Sequence, residues 1–270
     1  MTDLPLPPRR WVERFARAGY AAKGVVYLLI GVLAVQAAAG AGGRTTGASG
    51  VLHVLLRQPF GRWLLGLVAV GFAGYAAWRL YCAAVDPKHP GRRDWKRAAV
   101  RVGYTMSAAV HGGLAWQAAR LALGQSGGRG GDSQADERTA QLMAVPFGQW
   151  LVGIVGLGVA AYGIAQIVKG VRGRGVEPTR AADAQVQRLL ERAAQVGLVA
   201  RGVVFGIMGL FLVRAALRHD PSEAGGLGEA LQELARQPYA PILLGAVALG
   251  LAAYGAYQLA LARWAAVPTG

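Results

Sequence analysis

The chain has one cysteine, Cys82, so no disulfide can close within it and no cysteine-based metal site can form. Charge is scarce as well: 16% of residues are charged, where soluble domains carry about a quarter. Acidic residues are the rarer sign, at 14 against 29 basic, which leaves a formal net charge of +15. Catalytic signatures are missing, with no HExxH, no GxSxG, and no phosphate loop or dinucleotide fingerprint between a strand and a helix. His53, His89 and His219 fall in different connections on different sides of the apolar segments, so they form no common metal site. Asp132, Asp136 and Glu137 cluster in one connection, where solvation accounts for them better than calcium. These absences lead us to expect no enzyme, no cofactor and no metal.

Glycine and long apolar runs are abundant instead. Forty glycines would weaken helices in water, whereas membrane helices use glycine to let backbones approach closely. Apolar stretches run over Ala18–Ala39, Phe60–Ala84, Val102–Leu123, Phe147–Val168, Val196–Leu217 and Pro241–Leu261. Each is long enough, at about 1.5 Å per residue, to cross a hydrocarbon core of about 30 Å. The first resembles a signal peptide, with Arg9, Arg10, Arg14 and Arg17 before it, but the later segments of the same pattern favour a retained span. Sorted by side, twenty Lys and Arg lie on the face holding both termini and nine on the other. Short loops rich in Lys and Arg stay in the cytoplasm, so both termini are expected there. The basic balance thus marks topology, with anionic headgroups on the cytoplasmic face as its partner rather than nucleic acid. Protein partners are not encoded in any recognisable motif.

The six segments repeat. Arg17-Ala18-Gly19-Tyr20 recurs as Arg101-Val102-Gly103-Tyr104 and more loosely as Gln195-Val196-Gly197-Leu198, at offsets of 84 and 178. Pro59-Phe60-Gly61-Arg62-Trp63 recurs as Pro146-Phe147-Gly148-Gln149-Trp150 and as Pro238-Tyr239-Ala240-Pro241, at offsets of 87 and 179. The expected fold is an all-α membrane domain spanning residues 1–270, with repeats at 16–87, 100–171 and 194–265. Six transmembrane helices form three parallel hairpins in a pseudo-threefold ring. Short amphipathic helices are expected on the outer face at Val51–Gln58, Glu137–Val145 and Leu227–Gln237, and on the cytoplasmic face at Arg92–Ala99 and Arg180–Ala194. Phe60, Trp63, Phe147, Trp150 and Tyr239 suit an interfacial aromatic belt.

The motif Ala16-Arg17-x-Gly19-Tyr20-x-x-Lys23-Gly24-Val25-Val26-Tyr27, followed by Pro59-Phe60-Gly61-Arg62-Trp63-Leu64-Leu65-Gly66, resembles the bacterial family called domain of unknown function 1206. The resemblance covers about residues 12–264. Ser107 replaces the basic residue in the second unit, and Leu198 and Ala240 depart from the pattern in the third. It implies a multi-pass protein of the bacterial cytoplasmic (inner) membrane and brings no activity with it.

Two sets of residues stand out inside the segments. Small residues align across the repeats, notably Gly24, Gly31, Gly202 and Gly209 on first helices and Gly66, Gly153 and Gly245 on second helices. Small faces replace the missing hydrophobic drive for helix pairing in lipid, so these are expected to pack helices together. Polar residues form the second set: Lys23, Tyr75, Arg79, His111, Tyr162, Gln166, Arg201, Tyr254 and Gln258. Either they form a ring that attracts an anion or a phosphate-bearing headgroup, or the long cations snorkel to the interface beside tyrosine anchors. The sequence favours a non-enzymatic envelope scaffold or lipid-interacting protein. The alternative is a transporter or channel for a small, anionic solute with a site on the axis. Three parallel two-helix units are similar in architecture to the mitochondrial carriers, whose proline–acid–base gate motif is absent here.

Overall fold

The computed structural model describes residues 9–85, 95–125, 133–174, 179 and 183–265. Six long helices are α1 (Arg9–Ala38), α3 (Gly61–Val85), α4 (Trp95–Ala122), α6 (Gly148–Val171), α7 (Ala184–Arg218) and α9 (Ala240–Trp264). Three short ones, α2 (Ala48–Leu56), α5 (Ser133–Met143) and α8 (Leu227–Arg236), sit in the connections within the three units, between first and second long helices. No strand occurs among the described residues. The stretch from residue 126 to Asp132, His89, and the first residues of the two cytoplasmic segments (92–94 and 180–182) lie outside the described residues.

Five of the long helices are apolar and long enough to cross a membrane: α1 from Glu13, α3, α6, α7 and α9. The exception is α4, which has the length but is diluted by Thr105, Ser107, His111, Gly112, Gly113 and Gln117. The protein is therefore a multi-pass helical membrane protein. The amphipathic segment over Ala184–Gln195 is not a separate helix lying on the membrane. It runs unbroken into the span to form the 35-residue α7, because no proline interrupts it.

The three second helices start alike. Gly61, Gly148 and Ala240 donate backbone N–H bonds to the carbonyls of Gln58, Val145 and Gln237, closing turns with proline second and an aromatic third. Those aromatics, Phe60, Phe147 and Tyr239, hold φ near +60° (60°, 62° and 63°), a left-handed conformation that L side chains rarely adopt. The cost is tolerated three times over, and each ring is thereby held outside the bundle, exposed at the level expected of the aromatic belt. The short helices depart from expectation: α2 and α8 do not lie flat on a lipid face. Val51 and Leu52 of α2, and Ala230 and Leu231 of α8, are fully buried in the core that links α1, α3, α4, α7 and α9. These two helices thus close one end of the bundle, with their apolar faces packed on protein.

Seams of small residues join the second helix of one unit to the first helix of the next. Such seams hold α3 to α4, α6 to α7, and α9 to α1. A methyl group built on Gly31 would fall 2.5 Å from the Ala252 nitrogen, and one on Gly209 would fall 2.4 Å from the Ala160 nitrogen, at equivalent places in the repeat. Gly24 faces the Gly255 carbonyl and Gly202 the Gly163 carbonyl in the same reciprocal way. The α3–α4 seam has Ala76, Ala108 and Ala115 at the matching positions and lacks these glycine approaches. Gly66, Gly153 and Gly245 are not points of closest approach in the seams. Nothing lies within 4 Å of a Cβ at Gly66, and the other two meet only ordinary contacts at 3.5 and 3.8 Å. They sit near the start of the second helices, Gly153 opposite Ala216 of α7 and Gly245 opposite Ala38 of α1.

The contacts within each unit are unequal. Helices α1 and α3 pack together, as do α7 and α9, but α4 and α6 share no seam. The described helices follow the order α4, α3, α1, α9, α7, α6, so the expected closed ring is broken between its two ends. Gly209→Leu should destabilise the protein in detergent by at least about 1–3 kcal/mol through overpacking, whereas Gly66→Leu should leave thermal stability unchanged. Equal effects of the two substitutions in thermal unfolding would contradict this assignment of the seams.

Candidate anion-binding cluster

The apolar segments carry six cations and no carboxylate: Arg62, Arg120 and Arg214 lie near one end of the spans, and Lys23, Arg79 and Arg201 near the other. Two of these cations are deeply buried, Lys23 at 6% and Arg201 at 7% exposure, while Arg79 is half-buried. Snorkelling would put such side chains in contact with the interface, so for Lys23 and Arg201 the buried geometry overrides that reading.

Their partners are tyrosines. Lys23 Nζ lies 3.4 Å from the Tyr75 hydroxyl, which also accepts a 2.9 Å bond from Arg79 Nε. Arg201 Nη1 donates to the Tyr254 hydroxyl at 2.8 Å. Lys23 and Arg201 are repeat equivalents, as are Tyr75 and Tyr254, so the first and third hairpins close on the same cation–hydroxyl contact. The aromatic faces add to it. The Arg201 guanidinium lies 4.5 Å from the Tyr254 ring centre, 5.3 Å from Phe205 and 5.4 Å from Tyr27. Arg79 stands 4.8 to 5.2 Å from Trp78, Tyr75 and Tyr104, and Lys23 Nζ 5.1 and 5.5 Å from Tyr75 and Tyr254. Cation–π contacts strengthen when water is excluded, which is how these charges are tolerated without a counter-ion from the spans.

The close helix approach within these hairpins rests on two glycines. A Cβ at Gly19 would fall 2.4 Å from the Tyr75 Cβ, and one at Gly197 would fall 2.5 Å from the Tyr254 Cβ. The arginine of the repeated motif acts outside the cluster. Arg17 donates to the Arg263 carbonyl at 3.0 Å and Arg101 Nε to the Ala83 carbonyl, each satisfying the C-terminal end of the preceding second helix.

The second hairpin differs at each of these points. Ser107 stands where the cation would be, and a Cβ at Gly103 meets nothing within 4 Å. Tyr162 is 46% exposed, against 0% for Tyr75 and 4% for Tyr254. It turns instead towards the next unit, stacking edge-on against Phe205 at 5.3 Å and lying beside Arg201. His111 lies 4.5 Å from the Tyr75 ring and 5.6 Å from Phe72. Its Nδ1 is 2.7 Å from the Ser107 carbonyl, which can only accept, so that nitrogen carries the proton.

Of the nine residues singled out from the sequence, six thus converge: Lys23, Tyr75, Arg79, His111, Arg201 and Tyr254. Tyr162 stands at the edge of this group. Gln166 and Gln258 are buried, but among the described residues no hydrogen bond joins either to the cluster. Tyr27 and Phe205, the repeat equivalents of His111, were visible beside the cations in the sequence, whereas Tyr20, Trp78 and Tyr104 were not read as aromatic walls. Tyr20 and Tyr104 were visible as the last residue of the repeated motif and only needed to be read as cation partners.

Five buried side-chain polar atoms have no hydrogen bond among the described residues: Nε of Arg17, Nε1 of Trp78, Nε2 of Gln117, Nε of Arg201 and Oε1 of Gln258. Buried donors and acceptors are normally satisfied, and a bound ion or group is one way to satisfy an exception such as the Arg201 Nε. An arginine in this setting can bind an anion through its free N–H, with the tyrosine hydroxyls as further donors.

The family model described as Domain of Unknown Function matches three tandem segments, residues 18–86, 102–173 and 196–265. The chain belongs to this family, Domain of Unknown Function 1206. It is 38% identical over 265 residues to the uncharacterized protein YxxB of Bacillus subtilis (strain 168), covering 96% of this chain and 93% of that one. No solved structure matches. In this family member the cluster is shared between units, because Arg201 of the third segment is flanked by Tyr27 of the first and Tyr162 of the second.

Tyr254→Phe keeps the ring face but removes the hydroxyl that accepts from Arg201, and should cost about 1.5–3 kcal/mol of stability. Thermal unfolding of the variant in detergent checks this, and a loss well below that range would show that the hydroxyl contact is not what holds Arg201.

Proposed function

We propose that this is a non-enzymatic, six-span protein of the bacterial cytoplasmic membrane that binds an anionic, phosphate-bearing group on the Lys23–Arg79–Arg201 cluster. In this reading both termini face the cytoplasm, as the distribution of Lys and Arg requires, and α4 crosses the membrane as the third of six spans. Its polar residues are tolerated because His111 and Gln117 face neighbouring helices, Tyr75 in one case and Ser49 of α2 in the other. The three units then relate by an axis along the membrane normal, with the cluster near that axis in the cytoplasmic half.

The observation that carries the reading is Arg201: buried, free of any carboxylate partner among the described residues, and with an unbonded Nε. A buried charge kept in this state is costly, and an intramembrane ionisable group is a functional site by default. An anion lowers that cost by adding opposite charge where water is excluded. The lipid-interacting reading is favoured over a transport path, because α2 and α8 fill the outer end of the bundle with Leu52 and Leu231.

Inorganic phosphate and dispersed phosphatidylglycerol, each added to the purified full chain in neutral detergent, test the proposal. At least one of them should raise the melting temperature, and Arg201→Gln should lower the affinity for it by roughly tenfold or more. Neither compound shifting the wild-type melting temperature would sink it.

A further inference from the structure

The break in the ring between α4 and α6 is a property of particular positions. Val110 is 59% exposed, whereas its repeat equivalents Val26 and Val204 are 2% and 1% exposed. Met106 stands half-exposed where the other units bury Ala22 and Ala200. On the facing helix, a Cβ at Gly158 meets nothing within 4 Å, while at its equivalents Gly71 and Gly250 it would fall 2.7 Å from the Ala22 methyl and 2.4 Å from the Ala200 methyl. The same interface that closes the first and third hairpins therefore lies open in the second, with apolar walls.

The gap leads inward to charge. Tyr162 lines it and stacks on Phe205, which in turn packs on the Arg201 guanidinium. From the other wall, His111 of α4 reaches Tyr75, the shared acceptor of Lys23 and Arg79. An apolar cleft open to the bilayer and ending on buried positive charge is complementary to one kind of molecule, an amphiphile with an anionic head. Lys23 lies five residues into the apolar stretch that starts at Ala18, roughly 8 Å along the helix, a depth a headgroup reaches from the side without passing along the packed axis.

We infer that the open second hairpin is a lateral binding cleft for an anionic phospholipid, whose phosphate meets Arg201 and whose acyl chain lies between α4 and α6. This rests on the anion-binding reading and adds the source of the anion and its route. Ser107 is the sequence change that makes it possible, since a cation there would draw α4 onto Tyr162 as Lys23 and Arg201 draw their own hairpins shut.

Native mass spectrometry of the full chain released from detergent tests this. The probes are phosphatidylglycerol, phosphatidylcholine and inorganic phosphate, and the variants are Gly158→Trp, which fills the cleft at an open position, and Arg201→Gln. Phosphatidylglycerol should bind the wild type at least roughly tenfold more tightly than phosphatidylcholine, and each variant should reduce that binding by a similar factor. Gly158→Trp should keep the wild-type melting temperature, so its loss of lipid does not reflect unfolding. Three results would overturn the cleft while leaving the anion site standing: phosphate binding as tightly as phosphatidylglycerol, lipid binding indifferent to Gly158→Trp, or a dimer whose formation Gly158→Trp abolishes. Failure of every anion to bind the wild type would remove both readings together.

Discussion

Lys23 and Arg201 are held between helices whose apolar stretches contain no Asp or Glu, and tyrosine supplies what a carboxylate otherwise would. A hydroxyl oxygen and a ring face are weaker partners than an ion, but they leave the positive charge in place rather than cancelling it. Two consequences follow from that choice. The cation and tyrosine clasp the two helices of a hairpin together, and Arg201, with no carboxylate partner among the described residues, keeps its charge in a region of low dielectric, where it acts strongly on any anion that enters.

The clasp works only because the backbones come close. Gly19 and Gly197 let α1 and α7 approach Tyr75 and Tyr254, and the seams at Gly24, Gly31, Gly202 and Gly209 fix each hairpin against the next. Dispersion across these small faces supplies the association that water supplies in a soluble protein. Where the cation is replaced by Ser107 the clasp is lost, and the exposure of Met106, Val110 and Tyr162 marks its absence. Three near-copies of one sequence thus give two closed hairpins and one open one, and the open one has Ser107 where the others have Lys23 and Arg201 and Met106 where they have Ala22 and Ala200.

Much of this architecture was legible in the sequence. Repeat offsets, the proline-aromatic starts of the second helices and the close-packing roles of Gly24, Gly31, Gly202 and Gly209 follow from period and residue size alone. Six of the nine intramembrane polar residues were also identifiable, because a polar group inside an apolar run has few reasons to be there. Three features were out of reach. A shared face does not fix the distance between helices, so Gly66 meets nothing within 4 Å although its equivalents Gly153 and Gly245 face Ala216 and Ala38. Amphipathicity does not say whether an apolar face meets lipid or protein, which is why α2 and α8 proved to be plugs. The opening of the second hairpin depends on the loss of a contact between helices far apart in sequence, and the exchange of Lys23 for Ser107 reads as minor until its tyrosine partner is known.

The account depends most on the claim that the cation–tyrosine contact decides whether a hairpin is closed. Restoring the cation in the open unit addresses it directly: Ser107→Lys, with spin labels at Ala98 of α4 and Lys169 of α6 in a Cys82→Ala background, in lipid nanodiscs. Electron-spin distance measurement should show the α4–α6 separation contracting relative to the same labels with Ser107 retained. An unchanged distance in a protein of normal stability would contradict the account, and would assign the opening to the α4 and α6 side chains rather than to the missing charge.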